Sequence, residues 1–176
     1  MQKNAKKYDV LIIGAGPAGA NAAISYKNLN PDLTIGLVDK SIFPRDKSCG
    51  DAIGPGVISA LKRFNNEHIL EDEPQVVSTT LYGPDNIGIQ NYIPQVKNKE
   101  DSIVYVIPRI DLDNRILNLA KESGVDVYEG YSFVDFISNE DKSLNVKIKN
   151  NNEELEFSTK ILVGADGANS RIRKKL

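Results

Sequence analysis

The sequence has one cysteine, Cys49. That excludes a framework of intrachain disulfides and fits a reducing compartment. It has one histidine, His68, beside the acidic residues Glu67, Glu71, Asp72 and Glu73. No partner cluster stands near it at ligand spacing, so the sequence indicates no metal centre, and the acidic run reads as a solvated loop. Charge of one sign is lacking too: 22 Lys and Arg face 24 Asp and Glu, for a net charge of −2. Such a balance carries no nucleic-acid footprint. No apolar run is long enough to span a bilayer. Lys3, Lys6 and Lys7 before an apolar stretch imitate a secretory leader, but Asp9 and Pro17 interrupt it. The expectation is a cytoplasmic protein.

What is present is ordinary in bulk and specific in one place. The 176 residues are 40% hydrophobic and 26% charged, enough for one globular domain or a little more. The specific stretch is Tyr8 to Asp39. An apolar run (Val10, Leu11, Ile12, Ile13) leads into Gly14, Gly16 and Gly19, the G-x-G-x-x-G spacing, with Pro17 inside it. An alanine-rich segment follows, then a second apolar run that ends at Asp39. Strand, glycine turn, helix, strand and acid form the order of a dinucleotide-binding βαβ unit. Gly14 permits the turn, Gly16 lets a pyrophosphate approach the backbone, and Gly19 lets the helix pack close to the strand. The free N–H groups and the positive end of the helix dipole then face phosphate. Asp39 can accept hydrogen bonds from an adenosine ribose and repels a 2′-phosphate, which favours FAD or NAD over NADP. The plainer alternative is a βαβ unit without a ligand.

Along the chain, the pattern predicts strands at 8–13 and 34–39 around a helix at 17–29, after a basic lead-in at 1–7. Residues 41–56 are too rich in Gly and Pro for regular structure, and they leave the strand end where ligands bind in open α/β sheets. A helix at 55–65 would place Val57, Ile58, Leu61 and Phe64 in the core. Strands at 76–82, 87–92 and 103–107, with a polar stretch at 97–102, would form one small inserted sheet. Arg109 precedes a helix from Asp111, its expected N-cap, to about 123, with Leu112, Ile116, Leu117 and Ala120 on one face and Gly124 at its end. Strands at 125–128, 131–138, 144–149 and 154–158 follow, with Asn150-Asn151-Asn152 as a hairpin turn. A final buried strand at 161–163 runs into Gly164-Ala165-Asp166-Gly167 and the start of a basic helix. The fold class is α/β: a Rossmann-like FAD/NAD(P)-binding domain with a parallel sheet and an inserted small β-sheet. No internal repeat or inter-domain linker interrupts residues 1–176.

The glycine motif with Asp39, Arg109 before its helix, and Gly164-Ala-Asp-Gly-Ala-Asn-Ser-Arg-Ile-Arg together resemble the FAD-binding half of flavoprotein monooxygenases and their relatives. The loop Phe43-Pro-Arg-Asp-Lys-Ser-Cys-Gly-Asp is similar to the cysteine–glycine loop of the geranylgeranyl reductase family. Where that family often has Cys-Gly-Gly or Cys-Gly-Glu, this chain has Cys-Gly-Asp. The resemblance implies FAD as cofactor, with NAD(P)H open as electron donor, and hydride transfer to a prenyl-type carbon–carbon double bond. It implies that Asp166 and Gly167 meet a sugar hydroxyl and that Arg109 reaches the cofactor phosphates or ribityl chain. It also implies that backbone near Phe133 contacts adenine. Cys49, Gly50 and Ala52 would lie beside the flavin, with Cys49 as proton donor. Family members continue well beyond the Gly164–Gly167 motif, so residues 1–176 correspond to an incomplete FAD-binding domain. A separate C-terminal chain is then an expected partner, and peripheral membrane contact has no supporting basic amphipathic helix. An aromatic hydroxylase, an NAD-dependent dehydrogenase and a non-catalytic nucleotide-binding module remain the alternatives.

Overall fold

The computed structural model describes residues 5–92 and 104–176. The start of the basic lead-in, the polar stretch at 97–102 and Ile103 lie outside the described residues. In chain order the elements are β1 (Lys6–Ile13), α1 (Pro17–Leu29), β2 (Ile35–Asp39), β3 (Ala52–Ile53), α2 (Pro55–Arg63), a 3₁₀ turn (Glu67–Leu70), β4 (Ser78–Tyr82) and β5 (Gly88–Tyr92). They continue with β6 (Tyr105–Val106), α3 (Arg109–Glu122), β7 (Asp126–Glu129), β8 (Ser132–Ser138), β9 (Leu144–Lys149) and β10 (Glu154–Gly164). Two compact units result, Met1–Asp46 with Leu112–Leu176, and Lys47–Asp111.

The first unit holds a six-stranded sheet in the order β7-β2-β1-β10-β9-β8. Strands β7, β2, β1 and β10 run parallel; β9 and β8 continue antiparallel. Strand β1 sits centrally, so its apolar run is covered on both faces, as a parallel strand requires. Leu11 and Ile13 enter a cluster with Tyr8, Val38, Phe133, Val146, Ile148, Phe157 and Ile172. The alternate residues Val10 and Ile12 are buried as well. Helix α1 lies on β1 and β2 with the small residues Gly19, Ala20 and Ala23 buried, together with Ile24. In α3 the predicted face is buried, Leu112, Ile116, Leu117 and Ala120, and Gly124 takes φ +84° after it.

Several expectations change. Lys6 and Lys7 belong to β1 rather than to a lead-in. The stretches at 154–158 and 161–163 are one strand, β10. Its first half ladders with β9 and its second half with β1, so no break is needed between them. Ile161 is exposed, not buried. Residues after Gly167 form turns instead of a helix. Helix α3 begins at Arg109, so Asp111 lies inside its first turn and is not the N-cap.

Among its described residues the second unit carries two separate two-stranded sheets, β3-β6 and β4-β5, where one sheet is the expectation. Strand β6 pairs with β3, antiparallel, because Ile107 N–H also donates to the Asp51 carbonyl at 3.0 Å and extends that pairing. In α2, Ile58 and Leu61 are buried, whereas Val57 is exposed and Phe64 only half-buried. Among the described residues no helix is long and apolar enough to cross a membrane.

Candidate nucleotide site at the carboxyl ends of three parallel strands

Strands β1, β2 and β10 are adjacent and parallel, so their carboxyl ends bring Gly14, Asp39 and Asp166 to one edge of the first unit. Gly14 turns the chain at φ +103°, a conformation open to glycine. A Cβ there would strike the Ala165 carbonyl and approach the Asp166 nitrogen to 2.9 Å. Gly19 sits against the Gly14 carbonyl, and a Cβ on it would collide with that oxygen. Gly14 and Gly19 thus serve chain-to-chain closeness between the turn, α1 and the end of β10. Gly16 differs: the nearest atom to a Cβ there is Arg45 Nη2, at 3.4 Å. It is the N-cap of α1, in extended conformation, with Pro17 opening the helix and no side-chain cap. Donors of the first turn are therefore left for something other than a cap.

Asp39 is buried and ties this turn together. Its Oδ2 accepts from Ala15 N–H at 2.7 Å and its Oδ1 from Ser41 N–H at 2.8 Å. Each oxygen keeps a further lone pair for a ligand hydroxyl. Asp166 behaves partly as a turn cap, since its Oδ2 accepts from the N–H of Arg171 at 2.7 Å and of Ile172 at 3.4 Å. Burial, the largest influence, pushes its carboxyl up. The Ser170 hydroxyl and the Arg171 N–H oppose it and leave the group below the ordinary carboxylate range. Its Oδ1 is shielded from solvent and has no hydrogen-bond partner among the described residues. An orphaned acceptor of this kind is costly unless a donor reaches it. Beside it, a Cβ on Gly167 would meet nothing within 4 Å. These residues fit the adenosine diphosphate half of a dinucleotide.

Phe133 is a core residue, 4% exposed, and its carbonyl already accepts from Arg171 Nη1 at 3.3 Å. The other predicted residues lie in the second unit. There Arg109 N–H donates to Asp51 Oδ1 at 3.2 Å. Cys49 is exposed, and its thiol is drawn below its ordinary value by the Asp51 N–H first and the Arg109 guanidinium second. Gly50 is open, with nothing within 4 Å of a Cβ, and Ala52 begins β3. Among the described residues no group of three His, Cys, Asp or Glu could hold a metal ion.

Sequence reasoning missed two residues of the first unit. Arg45 lies over the ring of Phe43, with 4.9 Å from guanidinium carbon to centroid. Its Nη1 is 3.3 Å from Asp113 Oδ2; the Asp113 side chain is fully buried and that of Arg45 18% exposed. A signal existed for Asp113. It falls on the same helical stripe as Ile116, Leu117 and Ala120, and a carboxylate on a buried stripe requires a partner.

A family model described as FAD binding domain matches residues 7–176. The chain is 28% identical over 168 residues to menaquinone reductase of Mycolicibacterium smegmatis, covering 96% of this chain and 39% of that protein. It is 27% identical over 165 residues to digeranylgeranylglycerophospholipid reductase of Picrophilus torridus, covering 93% and 40%. A solved structure of a geranylgeranyl bacteriochlorophyll reductase-like protein from Thermoplasma acidophilum superposes with a TM-score of 0.76 at 25% identity, over 93% of this chain and 40% of that one. The p-nitrophenol 4-monooxygenase of Pseudomonas putida shares the fold, with a TM-score of 0.82 at 14% identity, over 97% and 44%. This chain spans about 40% of the length of the curated relatives it matches.

Proposed function

The chain belongs to the FAD-binding domain family, and from that premise we propose that it holds the ADP half of FAD within a reductase of prenyl-type carbon–carbon double bonds. The observation that carries the reading is the convergence of the Gly14–Gly19 turn, the buried Asp39 and the orphaned Asp166 Oδ1 at one sheet edge. In this reading the first turn of α1 receives the pyrophosphate, Asp39 accepts from ribose hydroxyls, and Asp166 accepts from a further sugar hydroxyl. FAD, when bound, would supply hydride transfer. The reductase names of relatives at 27% and 28% identity support this direction of chemistry over hydroxylation.

Cys49, Gly50, Ala52 and Arg109 form the flavin-side group of the proposal. A thiol drawn down from its ordinary pKa approaches the range where a proton donor works best near neutral pH. Cys49 would hold the proton that the reduced carbon takes up. The finer reading adds a separate chain for the part of the relatives that this one does not span, and NAD(P)H as electron donor. Co-purification of that chain, and bleaching of flavin absorbance by NAD(P)H in the assembled protein, test those two points.

The primary test is titration of the purified chain with FAD, read by visible absorbance and flavin fluorescence. Uptake of FAD in preference to NAD is expected. A folded chain that takes up neither, or takes NAD more tightly, overturns the proposal. Cys49→Ala should abolish turnover of the assembled enzyme while flavin reduction persists.

A further inference from the structure

We propose that Asp113 is a positioning residue for phosphate recognition: it fixes Arg45 beside the open N-terminal turn of α1, and Arg45 takes diphosphate oxygens there. The inference rests on the FAD reading and deepens it. It starts from a cost. Asp113 stands on the buried stripe of α3, among Leu112, Ile116, Leu117 and Ala120. A carboxylate taken out of water is destabilising unless a charge of opposite sign and hydrogen bonds accompany it. The ion pair with Arg45 offsets part of that cost, and it places one guanidinium.

That guanidinium is held on two sides. Asp113 Oδ2 faces Nη1 at 3.3 Å, and the Phe43 ring covers it at 4.9 Å. Its Nη2 is left facing Gly16, 3.4 Å from where a Cβ would be. The planar fork has five donors, and pairing on one edge leaves the other edge pre-aimed. The uncapped first turn of α1 presents its N–H groups at the same place. Two sources of positive potential, a helix end and a fixed guanidinium, thus meet at Gly16. A diphosphate suits this pair better than a single phosphate, because helix donors and guanidinium each bind separate oxygens. Fixing the guanidinium beforehand also reduces the ordering entropy lost on binding.

The test is calorimetric titration of the chain with ADP and with adenosine. Wild type, Arg45→Gln, Asp113→Asn and the double variant are compared at one salt concentration. Either single substitution should weaken ADP about tenfold to a hundredfold, the range for a charge-assisted hydrogen bond, and leave adenosine within about twofold. The double variant should lose no more than Arg45→Gln alone. An unchanged preference for ADP in Asp113→Asn refutes the inference. So does a parallel loss of ADP and adenosine, which is the mark of a merely structural role. Should Asp113→Asn fail to fold, Asp113→Glu keeps the buried charge but displaces the guanidinium. An ADP preference between those of wild type and Arg45→Gln is then expected, and one equal to wild type refutes the proposal. A wild-type chain that binds neither ADP nor FAD instead overturns the cofactor reading itself, a separate result.

Discussion

Gly19→Ala is the sharpest perturbation of the nucleotide turn. Gly19 lies in the first turn of α1 with the Gly14 carbonyl against it. An added Cβ would fall well inside the 3.0 Å that real Cβ atoms respect, with the Ala165 Cβ at 3.2 Å on another side. The obstructing atom is backbone. It cannot turn aside, because Gly14 N–H donates to Val38 O at 2.7 Å and Ala165 N–H to Ile13 O at 2.7 Å. The helix would have to lift from the turn. Overpacking of this kind costs about 1–3 kcal/mol when side chains can adjust, and a rigid carbonyl sets the upper end. Alanine returns about 1 kcal/mol of helix propensity, so the net loss should be about 2 kcal/mol. In urea, with far-UV circular dichroism as readout, the midpoint should fall by about 1 M. Gly50→Ala is the control, with open space around it, and should move stability by less than about 0.5 kcal/mol. A Gly19→Ala chain as stable as wild type would refute the claim that close approach to the Gly14 carbonyl requires glycine there.

Asp39→Asn would present an amide N–H₂ to one of two backbone donors, Ala15 N–H or Ser41 N–H. Stability should drop by about 1–3 kcal/mol in the same urea assay and FAD affinity should fall with it. Tyr8 should govern an alkaline limb. Burial, then hydrogen bonds with Tyr128 and Asp126, push its hydroxyl far up, so the folded chain keeps a proton that the unfolded chain releases above about pH 10. Stability is then lost as pH rises past 10, in the same direction as for Lys6, raised chiefly by its hydrogen bond to Asp126. Tyr8→Phe should flatten the fall in unfolding midpoint between about pH 10 and 12 and leave the parts due to Lys6 and to Tyr131, whose hydroxyl is raised chiefly by its hydrogen bond to Glu153. On the surface, Leu81→Ser with Ile89→Ser on the exposed β4-β5 hairpin should reduce dye binding to apolar surface and leave the urea midpoint within about 0.5 kcal/mol.

The parts of this molecule legible in the sequence are those that local chemistry decides. The βαβ unit was readable because Gly14, Gly16, Gly19, Pro17 and the alanines of α1 each answer a constraint met within a few residues, and α1 runs from Pro17 to Leu29 as the pattern implied. The hairpin at 150–152 was readable for the same reason, since Asn150 Oδ1 accepts from the N–H of Asn152 and Glu153. Pairings decided at long range were not. Strand β10 reads as two pieces because Thr159 and Lys160 interrupt its apolar alternation. Yet Thr159 is 1% exposed, paired with Tyr8 on one side and Leu144 on the other, and the two ladders carry the chain through. The choice of β3 over β5 as partner for β6 depends on Asp51, whose carbonyl and carboxylate receive the N–H groups of Ile107 and Arg109.

The candidate site divides along the same line. Its backbone half, the glycine turn and the strand-end acids, is written in consecutive residues. Its charged half is not, because Arg45 is held by Asp113 on another element as well as by the Phe43 ring in its own loop. Spacing in the loop 41–56 marks it as suspicious but assigns no direction to any side chain in it. What fixes Arg45 is a carboxylate one turn into α3, and the only trace of that carboxylate is its conflict with the apolar stripe around it. A polar residue at an apolar position of a periodic pattern therefore says more about function than the charged residues of the loop itself. It identifies a site where stability was traded for the placement of something else, and the partner can be sought among residues of opposite charge at the ligand-facing ends of the strands.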